Sequence, residues 1–202
     1  MTDTARDYSR YFWQGEKVRL RPVRVEDAEQ FFINTLDSPS RRVLQLGIEL
    51  PTSVDLLKSS LEKHIGCKDA DGLILFVIEN DEGANVGGIS LHSRDKKNGT
   101  FSFGIVIDRE HRRRGYAEDA VRILLRYGFW ERRYQKCNSA CVFTNEASIR
   151  LHKKLGFVEE GRRRRNLFFN GQYHDDILFG LTREEFDGQE RGQSGAATAR
   201  SM

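Results

Sequence analysis

Hydrophobic alternation first appears at Val18-Arg19-Leu20 and ends at Pro22, so Lys17 to Arg21 predicts a short strand. A period of two puts one face on a core, and proline removes the next ladder donor. The period then changes. Ala28, Phe31, Phe32, Thr35 and Leu36 recur at helical spacing behind Glu26 and Asp27, acids that suit the positive end of a helix. Thr52-Ser53-Val54-Asp55 matches a capping box, with Leu57, Leu61 and Ile65 on one face of a second helix. Leu73 to Glu79, Val86 to His92 and Phe101 to Asp108 are β-rich runs parted by Asp81-Glu82-Gly83 and Asn98-Gly99, which predicts an antiparallel meander.

After Asp108 the pattern is helical again, because Ala117, Ala120, Val121, Leu124, Leu125, Gly128 and Phe129 fall on one stripe. Cys137 to Phe143 reads as a fifth strand, Glu146 to Leu155 as a helix stopped by Gly156, and Arg162 to Phe169 with Tyr173 to Leu181 as a hairpin turning at Asn170-Gly171. From Asp187 onward almost nothing is apolar and no period survives. The division expected is an N-terminal extension over 1–16, one domain over 17–186 and a disordered tail over 187–202. Tyr11, Phe12 and Trp13 in the extension are able to dock on the domain or on a second copy.

A chain of 202 residues suits one domain, and 38% hydrophobic residues suffice for its core. The net charge of +3 is too small to imply a nucleic-acid partner, so local patches must decide that question. Leu73 to Ile78, the longest apolar run, is far short of the roughly 20 residues of a membrane span. Met1 to Arg10 is polar and lacks the apolar core of a signal peptide, so a cytoplasmic location is expected. Cys67, Cys137 and Cys141 are odd in number, without CxxC spacing or a histidine cluster, which predicts neither disulfides nor a metal.

The junction after Asp108 carries chemistry. The apolar strand Ile105-Val106-Ile107 runs into Arg112-x-x-Gly115-x-Ala117, and a long amphipathic helix opens directly after it. A helix N-terminus offers unpaired N–H groups and about half a positive charge, and glycine lets a diphosphate approach the backbone. Arg112, Arg113 and Arg114 add charge there, while the two common nucleotide fingerprints are absent.

Strand, loop and helix together resemble the Q/R-x-x-G-x-G/A cofactor motif of the GNAT acetyltransferases. The run Asn145-Glu146-Ala147-Ser148-Ile149-Arg150-Leu151-His152-Lys153-Lys154-Leu155-Gly156-Phe157 is similar to that family's second signature, N-x-x-[SA]-x-x-x-Y-x-K-L-G-F. The likeness spans roughly Lys17 to Phe186. Gly161, the stretch Phe168 to Tyr173, and Asp175 look most like the spermidine/diamine and ribosomal-protein acetyltransferase branch.

That resemblance implies an α/β (α+β) fold, with a mixed sheet of about seven strands splayed between strands 4 and 5 and about four helices. It implies acetyl-CoA as co-substrate, without a metal, and an acetyl group moved to a primary amine by direct attack. The acceptor is a small molecule such as a polyamine, or a peptide N-terminus. The resemblance places the pantetheine arm along Ile105, Val106 and Ile107, the phosphates on Arg112, Arg113, Arg114, Gly115, Tyr116 and Ala117, and further cofactor contacts at Asn145 and Ser148. Asn145 also reads as a helix N-cap, and both roles are compatible.

Two departures from the family pattern concern proton transfer. His152 stands where the family has tyrosine, so it is the candidate donor to the departing thiolate, the alternative being a surface histidine. Ser102 stands where the polyamine branch carries glutamate, and serine is no base. Glu79, Asp175 and Asp176 are the candidate replacements, or else a water chain.

Arg162 to Arg165 form a run of four arginines read first as a solvated face, second as a site for an acidic substrate or ribosome-associated partner. Neither a membrane nor nucleic acid is expected among the partners, and a homodimer is expected to form through strand edges or the aromatic N-terminus. The competing readings are a CoA-binding module without turnover and a ribosome- or RNA-associated protein.

Overall fold

The structure, a computed structural model, describes residues 7–48, 50–65 and 72–199, without the side chains of residue 64 and of 193–199. Cys67 lies outside the described residues. The sheet contains β1 (Val18–Pro22), β2 (Ile74–Asn80), β3 (Asn85–Asp95), β4 (Thr100–Ile107), β5 (Lys136–Val142), β6 (Val158–Phe169) and β7 (Gln172–Thr182). Its order is β1-β2-β3-β4-β5-β7-β6, antiparallel throughout except for the parallel pair β4 and β5. The helices are α1 (Ala28–Thr35), α2 (Ser38–Val43), α3 (Val54–Ile65), α4 (Tyr116–Arg126), α5 (Glu146–Lys154) and α6 (Arg183–Ala199).

The apolar stripe of α4 supplies the centre of the core. Ala120, Val121, Ile123, Leu124 and Leu125 are fully buried against Val18, Ile78, Ile89, Phe101 and Leu181. Each large side chain so placed contributes about 1.5–3 kcal/mol of transfer free energy. The expected stripe continued to Phe129, yet regular α-helix ends at Arg126 and a wider turn covers Tyr127–Glu131, closed by Arg132 N–H on the Tyr127 carbonyl at 3.0 Å. Gly128 belongs there because a Cβ would stand 2.4 Å from the Phe101 ring. At the front of α4, Asp119 accepts from the amides of Glu16, Lys17 and Val18 at 3.2, 2.7 and 3.0 Å, and so ties the entry of β1 to this helix.

The aromatic N-terminal residues dock on the domain itself. Trp13 lies 4.9 Å from the Phe76 ring and 4.8 Å from the Tyr127 ring, and its carbonyl accepts from Leu20 N–H.

Six helices stand among the described residues where about four were expected. Helix α2 has no buried residue, so no apolar stripe announces it; Asp37 starts it by accepting from Ser40 N–H at 3.3 Å, with Pro39 in its first turn. Helix α6 runs to Ala199, into the segment 187–202 for which a disordered tail was expected. Phe186 is fully buried, Asp187 accepts from Trp130 Nε1 at 2.9 Å, and Glu190 accepts from Arg122 Nη1 and Arg126 Nε, each at 3.0 Å. The anchors past Phe186 are charged, which is why an apolar count missed them. Strand β6 likewise begins at Val158 rather than Arg162, with register shifts against β7 after Glu159 and Arg163.

Glu190→Ala leaves the nearly buried Arg122 guanidinium without this partner, and is expected to lower the unfolding free energy by about 1–3 kcal/mol in denaturant titrations. An unchanged midpoint would mean that the Glu190 ion pairs contribute nothing to the fold.

Candidate active site

Strands β4 and β5 pair only at Thr100↔Lys136, Phe101↔Cys137 and Ser102↔Asn138, then part. Beneath the divergence lies a cluster of rings. Phe103 of β4 faces His152 of α5 at 5.8 Å and Phe157 at 5.9 Å, while His152 stacks on Phe179 of β7 at 4.6 Å and 13°. The gap opens a cleft of about 910 Å³, walled by β4, β5, α2 and the start of α5.

The parting strands leave backbone groups of β4 without a strand partner. Asp108 N–H bonds to the Val86 carbonyl of β3, so antiparallel alternation turns Val106 and Gly104 toward β3 and Ile105 and Ile107 toward the opening. This corrects the expectation that all three residues Ile105 to Ile107 present their backbone to the cleft. Val106 lines it without an outward amide, and the Ile107 carbonyl accepts from Arg112 Nε at 3.1 Å. Ile105 therefore carries the free pair of groups.

Beyond β4 the chain reaches α4 through Gly115, which occupies the N-cap position at φ 87°. Only glycine takes this left-handed conformation without strain, and Arg113 at φ 65° completes a tight turn. Tyr116 and Ala117 form the first turn of α4, so its free amides open on this loop. Lys17 Nζ, hydrogen-bonded to the Arg114 carbonyl at 3.3 Å, adds a cation that sequence spacing did not reveal. Arg112, expected among the phosphate ligands, makes polar contacts within the protein. Its Nη2 reaches Asp37 at 3.3 Å and Ser40 Oγ at 3.0 Å, tying the end of β4 to α2. Arg112 lines the cleft, whereas Arg113 to Ala117 lie past its lining.

Helix α5 brings Asn145, Ser148 and His152 to the opposite wall. Asn145 caps α5, accepting from Ser148 N–H at 3.1 Å, and donates to the Val43 carbonyl of α2 at 3.3 Å. His152 is 3% exposed, so the surface alternative does not hold. Its Nδ1 is 2.8 Å from the Ser148 carbonyl and its Nε2 2.8 Å from Ser139 Oγ. A carbonyl only accepts, so Nδ1 carries the hydrogen, Nε2 is the acceptor, and the Ser139 hydroxyl donates to it. Burial pushes the imidazole below its ordinary value of 6.5, against a smaller opposite effect of the Ser148 carbonyl. Ser139 lines the cleft on β5 and was not anticipated; nothing in its sequence neighbourhood marks it, because only the fold brings it to the ring.

An open β4 edge, a glycine-capped helix start and a cleft between two parting strands thus lie together at one end of the sheet. Residues 17–158 match the acetyltransferase (GNAT) domain. The chain belongs to the GNAT acetyltransferase family. A SPbeta prophage-derived uncharacterized N-acetyltransferase of Bacillus subtilis is 35% identical over 176 residues, covering 87% of this chain and 96% of that protein. The spermidine N(1)-acetyltransferase of Escherichia coli is 29% identical over 173 residues, 85% of this chain and 89% of that one. Among solved structures, a spermidine N-acetyltransferase from Vibrio cholerae in complex with CoA and spermine superposes with TM-score 0.74 at 22% identity, over 84% of this chain and 97% of that one.

For a GNAT enzyme the remaining question is proton traffic, for which Glu79, Asp175 and Asp176 were the expected carboxylates. Glu79 is buried on β2, gripped by Arg19 and by Arg21 Nε at 2.5 Å, and it does not line the cleft. Asp175 accepts from the Arg165 amide at 2.8 Å and from Arg162 Nε at 2.8 Å. The amide first, then the guanidinium, hold its carboxyl below the ordinary range, and it too stands outside the lining. Asp176 is fully buried against Arg163. Two of the four consecutive arginines are thus held by cross-strand ion pairs, and Arg165 lies over the Tyr173 ring at 5.1 Å; this is not a free basic surface.

The depressed imidazole has a consequence for stability. Because His152 is harder to protonate folded than unfolded, its stabilising contribution is complete above about pH 6.5 and is lost as pH falls from there through the folded value. His92, whose burial also lowers its pKa, acts in the same direction. Denaturant unfolding at about pH 7.5 and about pH 5.5 is expected to show a loss on acidification that is smaller in His152→Phe. An equal loss in both proteins would assign the effect elsewhere.

Proposed function

We propose that this GNAT protein transfers the acetyl group of acetyl-CoA to a primary amine by direct attack. The observation that carries the reading is the Ile105 backbone edge, left unpaired beside the glycine-capped N-terminus of α4. When bound, the co-substrate supplies an activated thioester. Ile105 would hold the pantetheine amides in strand-like register and polarise the thioester carbonyl, and the amides of Gly115 to Ala117, with Lys17, Arg113 and Arg114, would hold the phosphates. Asn145 and Ser148 would shape the wall beside the pantetheine.

The acceptor reading is narrower than polyamines. Asp37 is the carboxylate among the described lining residues, and it is engaged by Arg112 and the α2 N-terminus, whereas Arg41 and Arg163 also face the cleft. A polycation would find little compensation there. An amine with one positive charge, such as a peptide N-terminus or a small monoamine, fits this lining better. The shortage of an evident base equally motivates a second reading, a CoA-binding module without turnover.

Thiol release from acetyl-CoA across a panel of monoamines, polyamines and N-terminal peptides separates the two. Turnover with any amine supports transfer, and binding of CoA without turnover supports the module. Indifference to CoA at millimolar concentration in calorimetry removes both. Gly115→Val is expected to weaken CoA binding by at least about tenfold, since a branched residue resists φ 87° and its Cβ would stand 2.8 Å from Lys17 Nζ. Unchanged affinity would detach the loop from the cofactor.

A further inference from the structure

Aminolysis of a thioester forms one N–C bond and breaks one C–S bond; the nitrogen must give up a proton and the sulfur must take one up. Among the described residues the cleft lining offers no free carboxylate for the first transfer, and His152 does not reach the second directly, because the Ser139 hydroxyl stands on its Nε2. We propose that Ser139 is a catalytic residue that passes the amine proton inward to His152 and returns it outward to the departing sulfur. This rests on the acetyl-transfer reading.

The geometry supplies each part. With Nδ1–H fixed on the Ser148 carbonyl, neutral His152 accepts at Nε2, and the Ser139 hydroxyl is the donor in place. When Ser139 Oγ receives a proton from the nitrogen as the N–C bond forms, its own hydrogen moves to Nε2. His152 is then an imidazolium whose Nε2–H donates back to Oγ, which turns the hydroxyl hydrogen toward the cleft. As the C–S bond breaks, that hydrogen goes to sulfur and the Nε2 proton returns to Oγ. No proton is gained or lost by the protein, and no solvent base is consumed.

The surroundings suit a transient charge. Burial disfavours a standing imidazolium, so the proton is held weakly and passed on readily to a thiolate. The elements packed on the ring present Phe103 from β4, Phe157, and Phe179 from β7. The titratable neighbour on the β5 face is Cys141, raised mainly by its own burial, with a Ser148 hydrogen bond opposing and Asp176 and Glu159 adding to the rise. Asp176 is in turn neutralised by Arg163. Ser148 Oγ, 3.4 Å from Nδ1, is the competing hydroxyl.

The test uses the amine that the wild-type protein turns over best in the panel. Ser139→Ala is expected to lower kcat by about a hundredfold while the KM for acetyl-CoA stays within about twofold, and Ser139→Thr, which keeps the hydroxyl, to recover part of the loss. The wild-type kcat should fall on acidification through the His152 value, and this limb should vanish in Ser139→Ala. Nitrogen NMR of histidine-labelled protein, assigned with His152→Gln, should show the Nδ1–H tautomer at neutral pH and a moved Nε2 resonance in Ser139→Ala.

A Ser139→Ala enzyme with wild-type kcat and pH profile, a loss confined to Ser148→Ala, or an Nε2–H tautomer would each overturn the relay while leaving acetyl transfer standing. If no amine releases thiol from acetyl-CoA, the transfer reading fails and the relay falls with it.

Discussion

The site depends on a sheet that stops being a sheet. Three paired residues join β4 to β5 before the strands diverge, and a backbone group buried without a partner costs free energy comparable to a lost hydrogen bond. Divergence is therefore sustained only where something else fills the gap. On one side the rings of Phe103, His152, Phe157 and Phe179 fill it with packed surface. On the other, the Ile105 edge remains open to a ligand that offers amides in the same spacing. The unpaired edge is thus both a local weakness of the sheet and the reason that an extended amide-bearing molecule would be held there.

Arginine ties the elements together both at this opening and away from it. Arg112 joins the end of β4 to α2, Arg21 and Arg19 hold Glu79 beneath the first strands, Arg122 fastens α6 under α4, and Arg163 covers Asp176. A planar fork with several donors can satisfy a carboxylate and a carbonyl at once, as Arg112 does with Asp37 and Ile107. Breaking one member of such a pair leaves the other charge desolvated, so these ties fix geometry even where their net stabilisation is small.

Periodicity made the central elements legible. The seven strands and the stripe of α4 were readable because burial imposes periods of two and 3.6 on apolar residues, and the loop at Gly115 was readable because its backbone conformation demands a particular residue. What escaped has a common cause: helix α2 presents no buried face, α6 is anchored by Glu190 and Asp187 as well as Phe186, and the arginine run is matched by acids ten to thirteen positions away on the next strand. Pairings of that kind are invisible to spacing along the chain. The carboxylates Glu79 and Asp175 were chosen for chemical type, and type alone did not say that arginines already held them.

The same distinction applies to His152. Its place on α5 is one where the family signature carries tyrosine, and a planar ring is what the site requires for packing, since the imidazole lies nearly parallel to Phe179. A tyrosine, however, carries its hydroxyl beyond the ring, whereas imidazole has its polar atoms within it. The shorter side chain would leave the cleft without a proton carrier at this wall. Ser139 Oγ stands 2.8 Å past Nε2, on the neighbouring strand, and restores a hydroxyl on the cleft side of the ring. Ring and hydroxyl, united in one residue by the family pattern, are here divided between a helix and a strand. The division adds a capacity that tyrosine lacks, because an imidazole behind the hydroxyl can store a proton between its removal from nitrogen and its delivery to sulfur.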